Sequence, residues 1–159
     1  MVRISARPAV RFAYMQVRDI DIAQEIVQEA YAEAWASAKT PATEAEFRRW
    51  LYRIIANLVT DYHRQRSRMP KRLEPAAVAD PLAIVERRAG DPDLLDALER
   101  LGLRERRALY LRYFEDLSFA DTARILGMPT ITVRVIVHRS LGKLRRCLST
   151  AAASTEVAV

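Results

Sequence analysis

Basic side chains are concentrated on one segment near the carboxyl end of the chain. Five Lys and Arg residues and no acid lie between Ile131 and Arg146. Apolar residues recur at helical spacing, at Val133, Val137, Leu141, Leu144 and Leu148. The polar and cationic residues fall largely off that stripe: Arg134, His138, Arg139, Lys143, Arg145 and Arg146. Arginine binds phosphates and the edge of guanine, so this pattern favours DNA recognition.

The residues before this basic helix predict a tight turn between two helices. Ser118 can cap a short helix, with Asp121 returning the bond in a capping box. Gly127 stands where a helix ends in a left-handed residue, and Pro129 suits the first turn of the next one. This layout is typical of a DNA-reading helix-turn-helix. On this segment alone, an ordinary helical hairpin with a solvated basic face is the alternative.

The whole composition predicts an all-α protein. The chain has 159 residues, half of them hydrophobic, and only four glycines, and strand-type alternation is nearly absent. A net charge of +6 favours a polyanionic partner. The single cysteine, Cys147, excludes an internal disulfide. Without a signal peptide or a bilayer-length apolar run, a cytoplasmic protein with no membrane insertion is expected.

Two long amphipathic helices are predicted in the first half, over residues 19–37 and 46–66. Residues 19–46 contain seven acids and one base, whereas residues 47–72 contain eight bases and one acid. Blocks of opposite sign indicate a basic protein partner for the first segment and nucleic acid for the second. Trp35 is expected beside the apolar stripe of the first helix, and His63 is interpreted as a phosphate or solvent contact.

Four prolines between Met69 and Asp93 predict a flexible linker. We therefore expect two small helical domains, the second of which contains the helix-turn-helix. The expected boundaries are residues 1–69 for the first domain, 70–92 for the linker, 93–148 for the second domain and 149–159 for a frayed tail.

Three segments, in this order, resemble those of an extracytoplasmic-function sigma factor, the smallest class of bacterial sigma factors. They read DIAQEIVQEAYAEAW, FRRWLYRIIANLVTDYHRQR and LRERRALYLRYFEDLSFADTARILGMPTITVRVIVHRSLGKLRR. The family calls the first two region 2 and the third region 4. The resemblance covers roughly residues 12–148. Because the family usually has another helix before this point, the resemblance implies a shortened N-terminus here.

The resemblance also implies three sets of binding residues. The set implied to bind core polymerase is Asp21, Gln24, Glu25, Gln28 and Glu29. The set implied to bind the melted promoter element is Arg53, Asn57, Arg64 and Arg66. The set implied to bind the upstream promoter element is Arg112, Arg134, Val135, His138, Arg139 and Lys143.

The implied function is that of a sigma factor, which binds core RNA polymerase and directs promoter-specific transcription initiation. Promoter DNA and an anti-sigma factor are the other implied partners. No catalytic Ser/His/Asp set, metal cluster or phosphate-cradling glycine loop is present, so we expect no enzyme activity, cofactor, metal or small-molecule substrate. The alternatives are a stand-alone helix-turn-helix regulator and a truncated sigma-like protein that titrates an anti-sigma factor.

Overall fold

The computed structural model describes residues 6–39, 41–69 and 92–157. These residues form two compact units, one built around residues 6–69 and one around residues 92–157. Helices and no strands occur in the described ranges, which confirms the predicted all-α class. The linker predicted at residues 70–92 lies almost wholly outside them. No helix in these ranges combines the length and apolar character needed to cross a membrane.

The first unit consists of three helices. They are α1 (Ala6–Val17), α2 (Ile20–Ala36) and α3 (Glu44–Arg68). Asp19 caps α2, because its side chain accepts hydrogen bonds from the backbone N–H groups of Asp21 and Ile22 at 3.0 and 3.1 Å. Thr43 Oγ1 accepts from the Glu46 N–H at 3.2 Å, so α3 begins two residues earlier than the sequence predicts.

A further helix, α1, precedes the two helices that the sequence predicts in this half of the chain. Its buried residues lie at helical spacing, at Ala9, Phe12, Ala13, Gln16 and Val17. The helix packs against both α2 and α3, and the ring of Phe12 meets that of Tyr52 edge-on with centroids 5.1 Å apart. Arg18, at a left-handed φ of 59°, ends α1 directly before the Asp19 cap. The core of the first unit is therefore a three-helix core.

The second unit contains four helices among its described residues. They are α4 (Pro92–Glu99), α5 (Leu103–Leu109), α6 (Phe119–Leu126) and α7 (Thr130–Val157). A π-helical turn, Tyr110–Phe114, continues α5. Helix α7 extends through most of the segment predicted as a frayed tail, because alanines there favour a helix.

A left-handed glycine forms the turn of the helix-turn-helix. Gly127 has φ +63°, and the N–H of Met128 donates to the carbonyl of Ala123 at 3.0 Å, which closes α6 in a Schellman motif. At the other end of α6, Ser118 Oγ accepts from the Asp121 N–H at 3.0 Å. The Asp121 carboxylate in turn accepts from the Ser118 hydroxyl at 3.0 Å, so the two side chains of the predicted capping box are paired.

An ion pair ties α7 to α5. Lys143 Nζ donates to Glu105 Oε1, while Glu105 Oε2 accepts from the Gly102 N–H at 2.9 Å. Burial alone would raise the pKa of the Glu105 carboxyl, but the hydrogen bonds from Lys143 and Gly102 and the charge of Lys143 lower it below its usual 4.5. Lys143 thus contributes to the fold as well as to the basic surface.

We expect two glycine substitutions to have opposite effects on stability. Gly127→Ala lowers the free energy of unfolding by about 1 kcal/mol, because alanine avoids the left-handed conformation although its Cβ would meet no atom within 4 Å. Gly142→Ala, in the interior of α7 and equally free of contacts, raises it by about 0.5–1 kcal/mol. Urea unfolding measures both changes in the free energy of unfolding. If both substitutions stabilised the protein, or both destabilised it, the result would contradict the left-handed turn at Gly127.

Removing the amine of Lys143 is expected to weaken the second unit in a pH-dependent way. Lys143→Met lowers the free energy of unfolding by about 0.5–1 kcal/mol near neutral pH, a small value because the Lys143 side chain is half exposed. Since the folded-state pKa of Glu105 lies below 4.5, the stabilisation is present above that pH and is lost as the pH falls through the folded value.

Urea unfolding of both proteins at a series of pH values checks this. Arg146→Met, which removes an exposed charge from the same helix, is the matched control. A loss of stability that is the same at acid and neutral pH would contradict the role assigned to this pair.

Candidate functional site

The start of α7 presents a cationic face to solvent. Val133, Val137 and Ser140 are buried, and the Ser140 hydroxyl donates to the carbonyl of Ile136. On the opposite side, four of the five residues of α7 predicted to contact the upstream element are exposed: Arg134, Val135, His138 and Arg139. At about 100° per residue, these four fall within roughly 140° of arc. The structure therefore brings them together on one surface of the helix.

Two arginines contact the same aromatic ring next to the start of α7. The Cζ atom of Arg134 lies 5.2 Å from the ring centroid of Phe119, and that of Arg112 lies 4.9 Å from it. Arg112 also donates to the carbonyl of Leu117 at 3.3 Å and pairs with Asp116 at 3.7 Å. Phe119 thus holds two positive charges beside the first turns of α7 through cation–π contacts.

These contacts change the interpretation of two of the predicted residues. The Arg112 guanidinium contacts Leu117, Asp116 and Phe119 within the fold, and its contact with the DNA backbone stays a prediction. Lys143 lies about 100° around α7 from the centre of the exposed face, at its junction with α5. Its amine pairs with Glu105 there, although its position is only about 40° around the helix from that of Arg139.

Helix α3 carries a polar stripe opposite its buried face. Arg53, Asn57 and Arg64 are exposed and fall within about 40° of arc, on the side away from buried Leu51 and Ile55. Within the described part of the chain, the side chains of Arg53 and Asn57 make no hydrogen bond or ion pair. Arg64 pairs with Asp61 at 3.5 Å. Three of the four residues predicted for the melted element therefore share one surface.

The structure separates Arg66 from that stripe. Its position is about 140° around α3 from Arg53 and about 180° from Asn57, and its guanidinium donates to the hydroxyl of Tyr62 at 3.0 Å. His63 also differs from its interpretation as a phosphate or solvent contact. His63 Nε2 lies 3.0 Å from the backbone carbonyl oxygen of Gln16, which links α3 to α1.

Helix α2 carries an acidic and amide face. The five residues predicted to bind polymerase are all exposed: Asp21, Gln24, Glu25, Gln28 and Glu29. The opposite side of α2 is buried at Ile26, Val27 and Ala30. None of the five side chains bonds to another side chain in the described ranges, so their charges and amides face solvent.

Trp35 extends this face with a large apolar surface that the sequence analysis missed. Its side chain is 84% exposed, not packed beside the apolar stripe as predicted. Its position on α2 is about 20° from those of Gln24 and Gln28. The signal that could have located it is the same helical spacing, which places residue 35 seven positions after Gln28.

Metal and redox chemistry have no visible site in the described ranges. No group of three His, Cys, Asp or Glu side chains that could hold a metal ion occurs there. Cys147 is a free, half-buried thiol on α7. The described polar surfaces are suited to binding macromolecules by charge.

Family models match both units. The model for sigma-70 region 2 matches residues 1–69, and the model for sigma-70 region 4 matches residues 97–146. The first match contains the α2 and α3 surfaces, and the second contains the helix-turn-helix.

Similar proteins and a similar solved structure are also sigma factors. RNA polymerase sigma factor SigV of Bacillus subtilis is 30% identical over 135 residues, which cover 85% of this chain and 81% of SigV. The same organism's ECF RNA polymerase sigma factor SigW is 28% identical and covers 87% of this chain and 81% of SigW. The sigma factor RpoE from Bartonella quintana, crystallised with the anti-sigma factor NepR, aligns with a TM-score of 0.68, 25% identity and coverage of 89% of this chain and 91% of RpoE. The chain therefore belongs to the extracytoplasmic-function sigma factors of the sigma-70 family.

Proposed function

We propose that this sigma factor divides its work between its two helical units. As a sigma factor, it binds core RNA polymerase and directs promoter-specific transcription initiation. We assign core binding and promoter melting to residues 1–69 and recognition of the upstream element to residues 93–148, with residues 70–92 connecting them. Membership of the family also makes the chain a non-enzymatic factor, because the polymerase supplies the catalysis. We place it in the cytoplasm, where polymerase and chromosome meet.

The observation that carries this proposal is the separation of charge within the first unit. The exposed face of α2 holds Asp21, Glu25 and Glu29, whereas the exposed stripe of α3 holds Arg53 and Arg64. Two neighbouring helices of one core thus present opposite signs. An acidic face attracts a basic protein surface, and a cationic stripe attracts the phosphates of DNA. One unit can therefore bind polymerase and promoter at once.

Asn57 is the residue of α3 best placed to contact an unpaired base. It lies between Arg53 and Arg64 on the same stripe, and its amide is exposed. An amide both donates and accepts hydrogen bonds, so it can pair with a base edge that melting has exposed. The arginines on either side follow the phosphates of the same strand.

The α2 face combines charge with an apolar anchor. The acids of this face set the rate and register of the encounter with polymerase. Burial of the Trp35 side chain against polymerase would then strengthen the binding. We also propose that an anti-sigma factor regulates this chain, since RpoE of Bartonella quintana was crystallised with one.

Run-off transcription on genomic DNA with purified core polymerase tests the proposed function. The full chain is expected to direct transcription from a small set of promoters that core polymerase alone does not use. A stand-alone regulator would bind duplex DNA without supporting transcription. A truncated sigma-like protein that titrates an anti-sigma factor would bind that factor but would not support transcription by core polymerase at any promoter.

Reversing one charge on α2 is expected to weaken the binding of core polymerase. Glu25→Lys raises the dissociation constant about tenfold at low salt, and the loss shrinks as salt screens exposed charges. Asp96→Lys makes the same change of charge at an exposed position of α4 and is the matched control. Equal losses for the two variants, measured by fluorescence anisotropy with labelled sigma factor, would contradict a contact specific to α2.

Arg134 and Phe119 are expected to affect the same promoter base pair. Arg134→Ala costs roughly 1–3 kcal/mol and relaxes the preference at one upstream position, if its guanidinium binds a guanine edge. Phe119→Leu keeps an apolar side chain but removes the ring under Arg134, so it relaxes the same position by about 0.5–1 kcal/mol.

Binding of the holoenzyme to a library of upstream-element variants checks both substitutions. Phe114→Leu is the control, because the Phe114 ring stacks on Tyr110 instead of holding an arginine. Uniform loss of affinity across the library would make Arg134 a phosphate contact and would contradict direct base recognition.

A further inference from the structure

Two exposed apolar side chains lie among the charges of the DNA-reading helix. Ile131, in the first turn of α7, is 68% exposed, and Val135, one turn later, is 40% exposed. Both lie on the exposed face with Arg134, His138 and Arg139. The buried side of α7 is formed by other residues, such as Val133 and Val137, so this pair has no part in the core.

The local structure gives no reason for these two residue types. β-branched side chains lower helix propensity, and an exposed position in a first turn is served better by a polar or unbranched residue. Exposed apolar groups of this size therefore indicate a contact that forms on binding. Because arginines surround the two apolar side chains, the partner that covers them must carry negative charge.

We propose that Ile131 and Val135 read the 5-methyl groups of thymines in the major groove of the upstream promoter element. This inference rests on the proposed function and adds a chemical basis for specificity to it. The thymine methyl is the apolar group on the base edges of the major groove, and aliphatic side chains recognise it by contact. Arg134 and Arg139 attract the phosphates to the same face by charge, and His138 beside them can hydrogen-bond polar base edges.

The spacing of the pair limits where the methyl groups can lie. Side chains four residues apart on a helix are about 5–6 Å apart at their Cβ atoms. Successive bases on one strand rise by about 3.4 Å. The two side chains therefore reach methyl groups one or two base steps apart, on the same strand or on opposite strands.

Uracil replacement tests this inference, because deoxyuridine lacks only the methyl group. The probe is the tightest-binding duplex that the holoenzyme, formed from the full chain and core polymerase, selects from a random-sequence library. Each thymine of that duplex is replaced in turn by deoxyuridine. We expect one or two replacements within two base steps to weaken binding about three- to fivefold, the effect of burying one methyl group.

Variants then assign each methyl group to a side chain. Ile131→Ala is expected to remove the sensitivity to uracil at one position, and Val135→Ala at the other. Ile136→Val, which removes one methyl-sized group from the same helix about 140° from Ile131 and about 100° from Val135, leaves both sensitivities intact. A 5-methylcytosine placed at a sensitive position recovers part of the affinity that cytosine loses, because it restores the methyl group alone.

The outcomes separate this inference from the function it rests on. Selective promoter binding that is insensitive to uracil at every position would overturn the inference and leave the proposed function standing. Ile131→Ala that weakens assembly with core polymerase, with uracil sensitivity unchanged, would also overturn it, since the pair would then contact protein. A holoenzyme that selects no sequence would overturn both.

Discussion

Each helix of this protein has to bury one apolar stripe, and the rest of the structure depends on that constraint. Rotating α2 to expose Ile26 and Val27 would cost several kcal/mol of hydrophobic burial. The same packing that buries these residues directs Glu25 and Gln28 outward. The orientation of these exposed faces is therefore a consequence of the core.

Short connections between the helices fix the direction in which each exposed face points. Arg18 and Asp19 join α1 to α2 with one left-handed residue and one cap, and Gly127 turns α6 into α7 in the same way. Such turns leave little freedom in the angle between helices. At the second turn, Phe119 adds a side-chain constraint, because its ring contacts the Arg134 guanidinium near the start of α7.

Features encoded by local spacing could be predicted from the sequence. Helix α2, the left-handed turn at Gly127 and the exposed positions of Arg134 and His138 follow from residue types within one or two turns. Features that depend on contacts between distant residues could not. Lys143 pairs with Glu105, 38 residues away, and His63 bonds to the backbone of α1, so neither position could be interpreted from its own helix.

The missed features have related causes. Helix α1 was not predicted, although its buried residues, among them Phe12, follow the same helical spacing as those of α2. Trp35 was expected beside the apolar stripe of its helix, whereas its position, about 20° from that of Gln28, places it on the solvent side. Closer use of the helical spacing would have predicted its exposure.

The central claim is that three helix faces contact three different partners in one initiation complex. Photocrosslinking from a benzophenone amino acid placed at Gln28, Asn57 or His138 tests it most directly, in holoenzyme bound to a promoter. Position 28 is predicted to crosslink to a polymerase subunit, position 57 to a single strand once the promoter has melted, and position 138 to upstream duplex DNA. Crosslinks from position 28 to DNA, or from position 138 to polymerase alone, would contradict the account.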